Sequence, residues 1–265
     1  PEEILKLCPF NAIILSGDDI SIDSGCRMCG ICYKKRPDVF ELIEEVKTAA
    51  FDKSQWKGIA VFAEKSGKEL HPVTFELIGK SLQLAAKSSQ PVYCLLAGNG
   101  NRSLAETLLE YGVQKVFSYD HVLLEKFNVE PYAAVFTDFI DQVRPSAILV
   151  GGTLAGRSLA PRVAARFRTG LTADCTSLDI QLDTDIDQIR PAYGGNIMAH
   201  IHTPDHRPQF ATVRYKIFSS AKKVRPTGEI IDCLIDESKL KSRVQIVETR
   251  SKEKVKHIED ADVLI

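Results

Sequence analysis

Ala147-Ile-Leu-Val-Gly-Gly-Thr-Leu-Ala-Gly-Arg157 joins an unbroken apolar run to two glycines and then to the start of an amphipathic segment. The apolar run suits a strand buried on both faces, and the stretch from Arg157 to Arg166 suits a helix packed over it. A strand that hands over to a helix through glycine is the repeating step of a parallel sheet covered by helices. The same step recurs upstream. Gly58-Ile-Ala-Val-Phe62 reads as a first strand, with a helix from Pro72 to Ala86 after it. Val92 to Leu96 reads as a second strand, ending at Gly98-Asn-Gly100, with a helix from Leu104 to Tyr111. Val116-Phe117 is a short third strand before a helix from Tyr132 to Val143, and the run at Ala147 is the fourth strand. After Leu171 the spacing closes. Leu178–Leu182, Gln188–Ala192, Ile197–His202 and Gln209–Val213 leave no room for helices between them, which predicts an antiparallel extension. The glycines at 151, 152 and 156 place free N–H groups at the carboxyl end of the sheet, where an anionic ligand can sit. They serve a purely geometric turn equally well, and no GxGxxG or GxxxxGK[ST] run accompanies them.

The whole chain of 265 residues is longer than one typical domain, and 44% hydrophobic with 26% charged residues is the composition of a packed globular protein. With 34 basic and 35 acidic residues, no positive surplus exists to neutralise a phosphate backbone or an anionic membrane, so neither nucleic acid nor membrane is an expected partner. No apolar stretch approaches the roughly 18 residues that a bilayer span needs. The opening Pro1-Glu-Glu-Ile-Leu-Lys6 lacks the basic-then-apolar layout of a secretory signal, and a cytoplasmic location is expected.

Seven cysteines fall into two groups. Cys94 and Cys233 sit in apolar runs where cysteine acts as a small hydrophobe, and Cys175 follows Asp174 in a polar loop, where a half-buried thiol is expected. An odd count in a chain with no visible signal argues against a disulfide framework. The other four lie between residues 8 and 32. Cys26-Arg-Met-Cys29-Gly-Ile-Cys32 puts three thiols on one short loop, and Cys8-Pro9 supplies a fourth. Ferredoxins with two clusters use C-x2-C-x2-C-x3-C-P twice, the last cysteine of each run serving the cluster of the other. Cys8 fits that last position of a first run. That run's remaining positions would be 4 and 1, which hold Ile4 and Pro1, and the second run's own last cysteine would fall at 36, which holds Arg36 before Pro37. Every position of one site is a cysteine and every position of the other that can be inspected is not. Residues 1–50 therefore resemble a bacterial-type ferredoxin domain that keeps one [4Fe–4S] cluster, with Cys8, Cys26, Cys29 and Cys32 as its metal ligands. A structural zinc site is the alternative, although zinc favours paired knuckles over a triple. Ala12-Ile-Ile-Leu15 and Ile20-Ser-Ile22 are read as short strands that shield the cluster.

A second resemblance is carried by longer motifs. Leu149 to Thr176, Arg190-Pro-Ala-Tyr-Gly-Gly-Asn-Ile-Met-Ala199 and His206-Arg-Pro-Gln-Phe-Ala-Thr-Val-Arg214 are similar to the alpha subunit of electron transfer flavoproteins, and the likeness covers about Trp56 to Lys216. It implies an α/β chain: a small ferredoxin-like domain at 1–50, then domain I of the alpha subunit at 51–220. That domain would be a Rossmann-like parallel sheet of the adenine nucleotide alpha-hydrolase type with the antiparallel extension. The stretch 221–265 would be a connector leading to the first strand of an FAD-binding domain, with Ile258-Glu-Asp-Ala-Asp-Val-Leu-Ile265 fitting that domain's opening.

The resemblance further implies a heterodimer with the beta subunit, one FAD held by that subunit and another by a C-terminal domain absent from this chain. Joined to a cluster domain, it resembles the electron-bifurcating members of the family. Those take electrons from NADH, send one uphill to ferredoxin and the other to an acceptor dehydrogenase of the acyl-CoA or lactate type. Two other readings stand beside it: a non-bifurcating subunit with a structural cluster, and a redox-sensing nucleotide-binding module.

Within domain I, Arg157, Thr172 and Asn196 are the candidate contacts to the beta-subunit flavin, a cation there stabilising reduced, anionic flavin. Arg162 and Arg190 belong to the same group. The plainer reading of these arginines is a structural ion pair with a carboxylate such as Asp174. His200, His202 and His206 invite a metal, because i and i+2 on a strand share a face, but the sequence offers no further ligand to complete a set. The charged run from Glu237 to Lys256 reads as a solvated connector. On this reading the 265 residues alone hold no FAD, and flavin co-purifying tightly with the isolated chain would refute it.

Overall fold

The computed structural model describes residues 2–17, 19–23, 25–41 and 51–250. It divides into two compact units, Pro1–Ala50 and Phe51–Ile265. The proposed opening of an FAD domain at 258–265 lies outside the described residues, as do residues 251–256 of the charged run.

The first unit holds α1 (Glu2–Leu5), the antiparallel pair β1 (Ile13–Ser16) and β2 (Asp19–Ile22), and α2 (Ile31–Lys35). The two strands coincide with the apolar pieces read from the sequence. Gly30, with φ of 70°, starts α2 from the left-handed region that glycine occupies without steric penalty. Arg36, where the ferredoxin pattern would place a cysteine, is paired with Asp38, its Nε donating to both carboxylate oxygens at 2.8 and 3.0 Å.

The second unit is built on seven strands, all parallel: β3 (Ile59–Ala63), β6 (Val92–Gly98), β7 (Lys115–Asp120), β8 (Ala147–Gly151), β9 (Leu171–Thr172), β13 (Gln209–Val213) and β14 (Glu229–Asp232). A two-residue pair, β4 (Lys65–Ser66) with β5 (Glu69–Leu70), follows β3, and an antiparallel sheet of β10 (Ser177–Ile180), β11 (Ile186–Ala192) and β12 (Ile197–Ile201) is inserted before β13. The strand order is β14-β7-β6-β3-β8-β13-β9. From β3 the chain works outward through β6 to β7, returns to the middle at β8, lays β9 at one edge before β13 fills the gap between them, and ends with β14 at the other edge beside β7.

Helices α3 (Val73–Ser88) and α4 (Arg102–Leu109) cover one face, and α5 (Val129–Val143) and α6 (Leu154–Arg166) cover the other. Strand alternation divides the core accordingly. Ile59 and Val61 join Leu77 and Leu108 on one side, while Phe62, Ile148 and Val150 join Phe136, Phe139 and Leu159 on the other. All five residues of β3, β8 and β13 are buried, as expected of strands covered on both faces.

The structure corrects the sequence reading in three places. The antiparallel extension contains three of the four expected strands, and Gln209–Val213 lies parallel between β8 and β9 instead. Its burial on both faces suits the middle of a sheet and not an exposed hairpin. Helix α6 begins a turn before Arg157, because Thr153 caps it, Oγ1 accepting from the Gly156 N–H at 3.0 Å. The stretch read as a connector supplies β14 to the sheet edge, and further on Leu240 is buried against the α5 side of the core.

Gly156 fixes the join between β8 and α6. A Cβ there would stand 2.0 Å from the Gly151 carbonyl oxygen, which is backbone and cannot step aside. Alanine favours a helix over glycine by about 1 kcal/mol, but an overpacked site of this kind costs about 3 kcal/mol, so the steric effect decides the sign. Gly156→Ala is expected to lower stability by roughly 2 kcal/mol in urea denaturation; an unchanged or raised midpoint would show that α6 is not held so closely.

Candidate functional site

Two places gather chemistry, one in each unit. In the first, all four cysteines read from the sequence line one cavity of about 240 Å³, together with apolar walls from Phe10, Ala12, Ile13, Ile22 and Phe40. All four are free thiols; Cys29 is exposed and the others are partly buried. Two backbone N–H groups already point at sulfur: Ala12 donates to Cys8 Sγ and Met28 to Cys26 Sγ, each at 3.4 Å. Donors of this kind stabilise a thiolate and tune a metal cluster bound through it.

Among the described residues, no three Cys, His, Asp or Glu side chains converge closely enough to hold one metal ion. A zinc ion needs its thiolates about 2.3 Å from a single centre. All four thiols line the same apolar cavity, and four thiols are the donor set that a thiolate-held cluster takes. Arg27 lies over the Phe10 ring, its guanidinium carbon 4.8 Å from the ring centre, so a cation stands at the cavity wall.

The second place lies where β8, β9, β11 and β13 end. Asp174, held at a left-handed φ of 57°, receives Arg157 Nη2 at 3.0 Å and Arg214 Nη2 at 2.7 Å. Its backbone is fixed to the sheet through Thr212, whose hydroxyl accepts the Asp174 N–H at 3.1 Å. The hydrogen bond from Arg214, helped by the charges of Arg157 and Arg190, holds the Asp174 carboxyl below the ordinary carboxylate range against the opposing effect of burial. Beside it opens a cavity of about 550 Å³ lined by Arg190, Tyr193, Gly194, Gly195, Arg214 and Ile217. Three guanidiniums around one carboxylate leave positive charge in surplus, and Tyr193 is 84% exposed at the rim.

The three residues first singled out for flavin contact fare differently. Arg157 reaches this place only through Asp174 and also binds the Gly152 carbonyl, Nε to O at 3.0 Å. Thr172 is buried in β9, and Asn196 is exposed just after the turn Tyr193–Gly195. Arg162 is turned to Glu130, at 3.4 Å. Arg214 closes the motif that begins at His206; its spacing from Asp174 gives no sign in the sequence that the two meet.

Cys175 is fully buried and not half-buried, and burial pushes its thiol up to about 12. His200 and His202 do share a face and are both paired with Asp187 of β11, 2.8 Å from His200 Nδ1 and 3.3 Å from His202 Nε2, an ion-pair contact that forms no metal site among the described residues. No helix among the described residues is long and apolar enough to cross a membrane.

A carboxyl held below its ordinary pKa contributes stability that is present above the ordinary range and lost as pH falls through its own lower value. Asp174→Asn is therefore expected to destabilise the protein at neutral pH and to flatten the decline of stability between about pH 4 and lower values, read from urea midpoints across pH. A parallel decline in both proteins would remove Asp174 from the account.

Comparison with known proteins gives a consistent picture. The family described as Electron transfer flavoprotein domain matches residues 59–234. The chain is 48% identical over all 265 residues to the Acetobacterium woodii lactate dehydrogenase (NAD(+),ferredoxin) subunit LctC, covering 63% of that protein. It is 42% identical over 219 residues to the electron transfer flavoprotein subunit alpha of Megasphaera elsdenii, 81% of this chain and 64% of that one. Against the alpha subunit of Clostridium acetobutylicum it is 39% identical over 214 residues, 80% of this chain and 63% of that one. The chain thus spans less than two thirds of the length of each of these relatives.

Proposed function

From the premise that the chain belongs to the electron transfer flavoprotein family, we propose that it is the alpha-type subunit of a bifurcating complex and carries a [4Fe–4S] relay on its first unit. Its partners on this reading are a beta subunit, ferredoxin, NADH as donor, and an acceptor dehydrogenase of the lactate or acyl-CoA type. The observation that carries the reading is the meeting of Cys8, Cys26, Cys29 and Cys32 around one cavity in a chain whose other unit belongs to this family. The likeness of all 265 residues to part of a subunit named for NAD and ferredoxin supports it, since that match includes the cysteine-bearing segment.

When bound, the cluster supplies one-electron steps and the flavins of the complex supply the passage between paired and single electrons. The chain's own residues prepare the places for them. The four thiols are the ligands of the cluster. The N–H groups of Ala12 and Met28 take up part of the charge on sulfur, while Phe10, Ile13 and Phe40 keep water from it. Exposed Cys29 and Met28 would form the solvent-facing edge of a bound cluster, the side open to a docked carrier.

On the second unit, Arg190 and Arg214 present positive charge to the cavity beside Asp174, suited to a flavin that gains negative charge on reduction and is held by the beta subunit. Arg157 acts there as a positioning residue, fixing Asp174. Thr172 and Asn196 keep their proposed place at the margin of this contact.

The anaerobically prepared protein is expected to contain iron and sulfide in equal amounts and to give an electron paramagnetic resonance signal on reduction. Cys29→Ala should abolish or strongly slow ferredoxin reduction in the reconstituted complex while acceptor reduction by artificial donors continues. Zinc without iron, or undiminished ferredoxin reduction by the variant, would overturn the relay.

A further inference from the structure

Open parallel sheets take their ligands at the carboxyl ends of the strands, in the crevice where the strand order reverses. In this sheet the reversal lies between β3 and β8. A side chain of the protein itself stands there. Glu64 follows directly on β3 and is 8% exposed. Its Oε2 accepts a hydrogen bond from Thr153 Oγ1 at 2.7 Å, and that same hydroxyl oxygen caps α6 by accepting the Gly156 N–H at 3.0 Å. The carboxylate is thus one hydroxyl away from the N-terminus of a 13-residue helix, the place where nucleotide-binding sheets hold a phosphate.

The backbone of Glu64 is fixed as well. Its N–H donates to Thr74 Oγ1 at 3.2 Å, and its carbonyl accepts the His71 N–H at 2.8 Å. The surroundings leave little space: a Cβ at Gly151 would meet Val73 Cγ1 at 2.8 Å and Glu64 Oε2 at 3.4 Å. Nor is a guanidinium free to serve a second anion from the start of α6, because Arg157 is engaged by Asp174 and the Gly152 carbonyl.

We infer that Glu64 is an internal anion that fills the ligand seat at the reversal point of this sheet and so excludes a nucleotide phosphate from it. The glycines at 151, 152 and 156, which in the sequence suited either a ligand or a plain turn, then serve both geometry and a seat already taken. A phosphate entering the seat would stand within a few ångströms of the carboxylate, and two like charges at about 4 Å repel by several kcal/mol at the effective dielectric of a partly buried site. Burial already pushes the Glu64 carboxyl up, against the pull of Thr153 and His71, so the seat has no solvation to spare for a second negative group. The inference concerns the second unit alone and does not depend on the cluster or on the flavin contact.

The test uses the full chain, labelled with ¹⁵N and titrated with inorganic phosphate and with AMP, read at the amides of Gly152, Leu154, Ala155 and Gly156. The wild type is expected to show no movement there with either probe. Glu64→Ala should bind with local shifts at those amides and an affinity about tenfold above the wild-type limit, a factor equal to about 1.4 kcal/mol and within the range of an anion at a helix N-terminus. Glu64→Gln keeps the volume, and so the packing, while removing the charge; it should move in the same direction by a smaller factor. Local binding by the wild type equal to that of the variants, or no gain in either variant, would overturn the inference.

Discussion

The contact between the Gly151 carbonyl and the start of α6 sets the positions on which the second unit depends. Only a residue without a side chain at 156 lets the helix approach β8 so closely. That approach puts Thr153 where it can cap the helix and reach Glu64, and it sends Arg157 back over Gly152 to Asp174. Asp174 is tied in turn to β13 through Thr212 and Arg214. A chain of polar contacts therefore runs from the middle of the sheet to the cavity at Arg190, each link fixed by the one before. Few of these bonds are strong alone, because Arg157 and Arg214 are about half exposed, and exposed ion pairs contribute about 1 kcal/mol or less. Their value lies in register, since each holds a group in the geometry the next requires.

The sheet and its covering helices were legible because periodicity is a local property. Apolar runs such as Ala147–Val150 and amphipathic stretches such as Tyr132–Val143 announce themselves in a window of a few residues. The place of Gln209–Val213 was not legible for the opposite reason. Five residues of strand look alike whether the neighbour is the hairpin just before or β8 nearly sixty residues upstream, and only the packed structure decides between them. The apolar run around Cys233 was visible, but its place as an edge strand was not, because a short, half-solvated strand beside a charged, proline-containing stretch does not say which strand it pairs with.

The cysteine cavity was legible in its members, since spacing alone gathered Cys26, Cys29 and Cys32, and the counting of absent positions brought in Cys8. The arginine cavity was legible only in part. Its motifs stood out as strings, but Asp174 and Arg214 meet across 40 positions of chain, and nothing in their immediate neighbours marks the pair. Glu64 was invisible for a related reason: a glutamate at the end of a strand is ordinarily solvated, and its burial follows from Thr153 and Val73 arriving from elsewhere.

The two units are secured by different means. The sheet is filled by two continuous apolar cores, whereas in the first unit the buried apolar side chains among the described residues are Ala12, Ile13 and Phe40. With so few buried apolar side chains among its described residues and four free thiols, this unit has little hydrophobic packing there to hold it. On the reading proposed above, an inorganic group held by the four thiols would supply the internal contacts that this unit otherwise lacks. If that reading holds, chains made without the group would keep a sound sheet and lose the first unit to proteolysis, so a shortage of the metal would be felt first as a shortened lifetime of the polypeptide.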